Sequence, residues 1–171
     1  MNPLTLRAMM PQLPDDVGAH VASQALLGEA VKAELMMDSF IAARLGRSTY
    51  EVLLLQSKAI CHLSINVKIG LLEELMGAEE WDDDFPFVIP VLRALFALRN
   101  KLAHSIPYFM DGTDQGEVTA NLWSSRRGNV KFEEVKVSTI VGLVHSSAHV
   151  TSVDMAFLHV RALPEGYWSA K

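Results

Sequence analysis

The chain has 171 residues, half of them apolar and one fifth charged, with 15 basic against 20 acidic side chains and a formal net charge of -5. A chain of this length buries roughly 70% of the surface its unfolded form exposes, enough for one core without metal or disulfide staples, and the composition excludes disorder as the main state. The single cysteine, Cys61, excludes a disulfide framework within the chain and fits a reducing compartment. Pro3, Arg7, Pro11 and Pro14 interrupt the first residues, so no signal-peptide core is expected there. No apolar run approaches the ~20 residues of a membrane span. The expectation is a cytoplasmic protein without membrane association. Net negative charge argues against a broad electrostatic grip on nucleic acid but leaves room for a local basic site.

Asp15 and Asp16 form a helix start, and Val17 to Leu45 carries apolar residues at helical spacing, among them Leu26, Ala30, Ala33, Met37, Phe40 and Ile41. Gly46 stops this helix. Ser48 or Thr49 then caps a second long helix running to Gly77, with Leu53, Leu54, Ile60, Leu63, Val67, Leu71, Leu72 and Leu75 as its expected buried face. Two long helices joined by a short link are expected to lie antiparallel. Glu79 to Asp84 holds five carboxylates and Trp81, and reads as a solvated signal ahead of a third helix. That helix begins near Pro90, where proline is tolerated in the first turn, and runs to about Ser105, with Pro107 ending it.

From about residue 117 to 137 the pattern changes to a period of two around Ser124-Ser125-Arg126-Arg127-Gly128-Asn129, which predicts a β-hairpin. Ser138 caps a last helix to about Ala162, before Pro164 and Gly166. The expected fold is mainly α: an up-and-down four-helix bundle, one domain over residues 1–171, with the hairpin inserted between the third and fourth helices.

The string Arg99-Asn100-Lys101-Leu102-Ala103-His104 closes the third helix. Arginine is a fixed cation that grips phosphate through two N–H groups, and histidine exchanges a proton near neutral pH, so the pair has the parts for phosphodiester chemistry. On an ideal helix Asn100 and His104 share a face, whereas Arg99 and His104 are separated by about 140°. Arg99 must therefore reach around from the flank, or a second subunit must complete the site. A structural role is the alternative: Arg99 and Asn100 tie the helix to nearby loops, and His104 caps carbonyls at the helix C-terminus.

The string resembles the R-x4-6-H signature of the HEPN superfamily, with the polar Asn100 directly after the arginine and four residues between Arg99 and His104. The layout of LSINVKIGLLEELMG ahead of RNKLAHS is also similar to the mannitol operon repressor branch of these folds. The resemblance covers the middle half of the chain, and its sharp part is the six-residue motif. Ile106 stands where the H-x-Y extension of one toxin branch has its tyrosine, and Tyr108 lies two positions later.

The resemblance implies a metal-independent endoribonuclease, of the kind used in bacterial toxin or phage-defence systems, needing no cofactor. His104 would move the proton of the ribose 2′-hydroxyl or of the departing 5′-oxygen, Arg99 would stabilise charge on the phosphate, and Asn100 would position the phosphate or the histidine. The products would be a 2′,3′-cyclic phosphate and a 5′-hydroxyl. A homodimer would unite two Arg/His sets, and a cognate antitoxin or regulatory protein would be a further partner. The same resemblance allows a noncatalytic regulatory or protein-interaction module like the mannitol operon repressor.

Lys101, Trp123, Arg126, Arg127 and Lys131 are the candidate RNA contacts, since no carboxylate lies between Thr119 and Phe132. The basic hairpin tip would follow a phosphate backbone and Trp123 would stack on a base; a solvated turn with a partly buried tryptophan is the plainer alternative. His145 and His149 are four apart on the last helix, but Ser146 replaces the glutamate of H-E-x-x-H and no third ligand follows, so no metal is expected. Cys61 beside His62 reads as a buried thiol within an apolar helix. No glycine-rich phosphate loop or G-x-S-x-G elbow is present.

Overall fold

The computed structural model describes residues 15–104, 106–110, 119–126 and 129–163. In chain order these form α1 (Asp15–Leu45), α2 (Thr49–Lys58), a 3-10 turn (Ile60–His62), α3 (Ile65–Ala78), α4 (Val88–Ala103), β1 (Ile106–Met110), β2 (Thr119–Arg126), β3 (Asn129–Lys136), α5 (Val137–His149), a π turn (Val150–Asp154) and α6 (Met155–Ala162). The chain is mainly helical with one small antiparallel sheet. It divides into two compact units, one made of residues 1–30 and 94–148, the other of residues 31–93 and 149–171.

The second unit shows why the expected second helix is not one helix. Ser48 caps α2, its hydroxyl accepting from the Glu51 backbone N–H at 3.3 Å, while Oε2 of Glu51 accepts from the Arg47 N–H at 2.7 Å. A Cβ at Gly46 would lie 2.7 Å from Cγ2 of Val52 and 2.9 Å from its backbone nitrogen, so the tight passage from α1 to α2 requires glycine. The α-helix then ends at Lys58, tightens into the 3-10 turn, and restarts after Ser64, which is extended (φ -68°, ψ 153°). This interruption shifts the phase of everything after it. Val67 after it is exposed instead of buried, Leu53 and Leu54, which precede it on α2, are exposed as well, and the buried residues are Val52, Ile60, Lys68, Ile69, Leu72 and Met76. Cys61 is exposed as well, with its thiol donating to the Ser57 carbonyl at 3.3 Å, which corrects the expectation of a buried thiol.

The acidic segment before α4 is solvated as expected at Glu80, Asp82, Asp83 and Asp84, which are exposed, and it is also tied to neighbouring helices. Glu79 pairs with Arg44 of α1 and Asp84 with Arg161 of α6. Trp81 meets Phe40 edge to face with ring centroids 6.2 Å apart, and the Arg161 guanidinium lies 5.9 Å from the Trp81 ring and 5.3 Å from that of Phe85.

His159 of α6 belongs to the same unit. Its Nδ1 is buried without a hydrogen-bond partner, and burial pushes its pKa below the usual histidine value despite a hydrogen bond to the Ser39 backbone, which acts the other way. Below the unfolded value of about 6.5 the unfolded chain therefore takes up more protons than the folded one. The stability His159 permits is full above that pH and is lost as pH falls through its depressed folded pKa. Urea midpoints measured at pH 7.5 and 5.5 are expected to fall further for wild type than for His159→Gln; equal falls would contradict this.

The first unit holds the sheet. β1, β2 and β3 pair antiparallel in that order, with Ile106 opposite Trp123, Trp123 opposite Phe132, and Arg126 opposite Asn129. The expected hairpin is β2 and β3; β1 is an addition the sequence reading lacked, and Pro107, expected only to end a helix, sits in this edge strand, where a missing N–H is tolerated. Alternation divides the sheet into two faces. Ala120, Leu122 and Val135 are buried on one, together with α4 residues Leu95, Phe96, Leu98 and Leu102 and α5 residues Ile140 and Val144 in the core of the unit. Phe132, 73% exposed, and exposed Glu134 lie on the other. The last helical run is two α-helices around a π turn, where the N–H of Met155 bonds to the carbonyl of Val150.

Candidate functional site

Helix α4 begins at Val88, two residues before Pro90, and its sequence carries Arg99, Asn100, Lys101 and His104 at the C-terminal end. The helix holds its place by burying Leu95, Phe96, Leu98 and Leu102, which leaves the polar motif residues on the remaining surface. Asn100, Lys101 and His104 are exposed and Arg99 is half-buried. The His104 N–H donates to the Asn100 carbonyl at 3.2 Å, continuing the helical pattern one residue beyond Ala103 and fixing the two residues on one face.

Arg99 resolves the angular problem through its neighbour. Its Nη1 donates to Oδ1 of Asn100 at 3.1 Å, so the guanidinium curls toward the face that carries Asn100 and His104. The remaining guanidinium donors retain the fork geometry suited to a phosphate. A fixed cation, an amide and an exposed imidazole thus occupy one helix end. Together they can bind an anion and exchange a proton beside it.

Lys101, a candidate phosphate contact, forms an ion pair with Glu133 of β3. Both side chains are about half exposed, at 45% and 50%, so the pair is a surface tie between helix and sheet worth less than about 1 kcal/mol. Glu133 was not singled out by the sequence reading, because the link depends on the register that sets Glu133 opposite Leu122 on the packed face. Trp123, Arg126 and Lys131 occupy strand positions of the hairpin, with Lys131 opposite Ser124; Arg127 lies outside the described residues.

His149 lies 3.7 Å from Asp154, and among the described residues no group of three or more histidine, cysteine, aspartate or glutamate side chains is arranged to hold a metal ion. No helix among them is long and apolar enough to cross a membrane.

The sequence reading also missed a buried ionic cluster. Lys68 of α3 is fully buried, with Nζ 2.9 Å from Oε1 of Glu34 and 2.7 Å from Oδ1 of Asp38, two α1 residues four apart on one face. Burial alone would lower the lysine pKa, but the two carboxylates outweigh it and hold the ammonium above its usual value. Solvent does not reach Lys68, while the Glu34 side chain is 39% exposed. Its signal was present in the sequence: once a helix starts after Ser64, Lys68 falls on the stripe of Ile69, Leu72 and Met76.

Comparison with models of protein families, with curated proteins and with solved structures finds no match.

Proposed function

We propose that the chain is a HEPN-like, metal-independent endoribonuclease that acts as a homodimer in the cytoplasm, under the control of a cognate antitoxin or regulatory protein. The observation that supports this most is the access of solvent to His104 on the face shared with Asn100, toward which Arg99 is drawn. In this reading Arg99 stabilises charge on the scissile phosphate, Asn100 holds the guanidinium and the phosphate in register, and His104 transfers the proton of the attacking 2′-hydroxyl or the leaving 5′-oxygen. The second histidine needed for the other transfer comes from the partner protomer. The up-and-down bundle arrangement belongs to the same reading.

The noncatalytic regulator is the second reading, and the Lys101–Glu133 ion pair favours it, because it gives the motif a structural task. Incubation of purified protein with single-stranded RNA in EDTA separates the two. Cleavage leaving 2′,3′-cyclic phosphate and 5′-hydroxyl ends is expected. Full activity in both Arg99→Ala and His104→Ala would overturn the nuclease reading.

A further inference from the structure

Helices α1 and α6 lie side by side and run parallel, as two contacts show. Nζ of Lys32 donates to Oγ of Ser152 at 2.6 Å, and two helical turns further along both segments His159 hydrogen-bonds to the Ser39 backbone. The contact line therefore follows Lys32 to Ser39 on α1 and Ser152 to His159 on the π turn and α6, all within the second unit. Successive helical residues turn by about 100°, so this line fixes which residues fall on either side of it. On one side are Ala33 and Met37 of α1 with Thr151, Met155 and Leu158, all buried. On the other are Val31 and Leu35 with Val153, Phe157 and Val160, which are between 38% and 61% exposed.

The parallel register sets Leu35 level with the interval between Val153 and Phe157, so the five apolar side chains form one strip across two helices. Exposure of that extent leaves roughly 500 Å² of apolar surface in water, near the top of the ~300–600 Å² range for the largest apolar patch on a lone soluble protein. It also matches the apolar share of a standard homodimer interface, about two thirds of ~800 Å² from each partner. The strip itself carries no charge. Charged residues flanking it on the same two helices are engaged within the chain: Lys32 by Ser152, Glu34 by Lys68, Asp154 by His149 and Arg161 by Asp84. Such a surface offers no counter-charge to an acidic or basic partner, and its complement is another neutral apolar strip. A two-fold axis through it sets two α1/α6 pairs face to face, the self-complementary pairing of a dimer.

We infer that the strip formed by Val31, Leu35, Val153, Phe157 and Val160 is a homodimer interface, occupied by the same strip of a second copy of the chain. The inference rests on the homodimer of the nuclease reading and adds where the two chains meet. Phe157, the largest and most exposed of the five, is the anchor, with Leu35 beside it on the neighbouring helix.

Sedimentation equilibrium of the full chain over a concentration series tests this. Wild type is expected to dimerise, Phe157→Asp and Leu35→Asp to weaken the dimer by at least about thirtyfold each, and Phe157→Leu to keep it. Circular dichroism checks that these exposed substitutions leave the helices in place. A wild type that stays monomeric at about 100 μM, or a dimer that survives both aspartate substitutions, would overturn the inference. So would a monomer that binds vesicles of phosphatidylcholine and phosphatidylglycerol through Phe157, which would assign the strip to a lipid surface. RNA cleavage by the same proteins keeps the two proposals apart. A Phe157-dependent dimer that cleaves no RNA would uphold the interface and sink the nuclease reading; His104-dependent cleavage by a wild-type monomer would do the reverse.

Discussion

Replacing Lys68 by methionine is expected to destabilise the protein by about 3–5 kcal/mol, because it leaves a buried carboxylate without its counter-charge. Asp38 is 5% exposed and sits 2.7 Å from the Lys68 ammonium. Its Oδ1 is buried, and the ammonium is the cation that meets it there. Glu34 is less committed, with a side chain 39% exposed; water can take over its solvation, and Glu34→Gln is expected to cost no more than about 1 kcal/mol. The double variant Lys68→Met with Asp38→Leu removes both charges and is expected to recover most of the loss, since a buried ion pair is often replaced by apolar side chains at little net cost. Urea denaturation of wild type, Lys68→Met, Asp38→Leu and the double variant gives the coupling directly. A Lys68→Met protein as stable as wild type would show that the cluster carries no energy.

The same cluster sets a pH dependence. The folded-state pKa of Lys68 is raised, so its contribution is fully present below the unfolded lysine value of about 10.4 and is lost as pH rises through the folded value. The stability gap between wild type and Lys68→Met is thus expected to persist at neutral pH and to narrow only in strong alkali.

Much of this architecture was legible along the chain. The 31-residue helix α1 has apolar spacing and a glycine stop that agree with each other, and it runs as the pattern predicts. β2 and β3 follow from a two-residue alternation around a polar turn. The misreading of the second helix has a physical origin: hydrophobic periodicity identifies helix but is weak at finding where a helix breaks. Between Thr49 and Ala78 apolar residues recur on both sides of the 3-10 turn at Ile60–His62, so their spacing alone does not mark it. The phase error that followed hid Lys68 and misplaced Val67, while Cys61 lies in the turn itself and Leu53 and Leu54 precede it. Strand β1 was illegible for a different reason, because Ile106–Met110 is short and contains proline, and its partner lies on the far side of a long connection. For the site, the sequence supplied residue types and their face on α4. The bond from Arg99 to Asn100 and the pairing of Lys101 with Glu133 depend on side-chain paths and strand register, which spacing along the chain does not encode.

His104→Ala is expected to reduce RNA cleavage by at least about a hundredfold, the usual lower bound for loss of a positioned proton-transfer group, while leaving the melting temperature unchanged because the imidazole is exposed at the end of α4. Arg99→Ala is expected to lose a comparable factor through transition-state charge, and Arg99→Lys to recover only part of it, since a lysine keeps the cation but not the planar fork. The dimeric mechanism adds a quantitative requirement. If one cleft needs a histidine from each protomer, an equal mixture of wild type and His104→Ala, allowed to exchange subunits, retains wild-type pairs in only about one quarter of its dimers. Its activity is then roughly one quarter of that of wild type at the same total concentration, against one half if each chain works alone. A measured value of one half, with exchange verified, would remove the shared cleft. The acid and base roles would then have to come from His104 and a second group on the same chain.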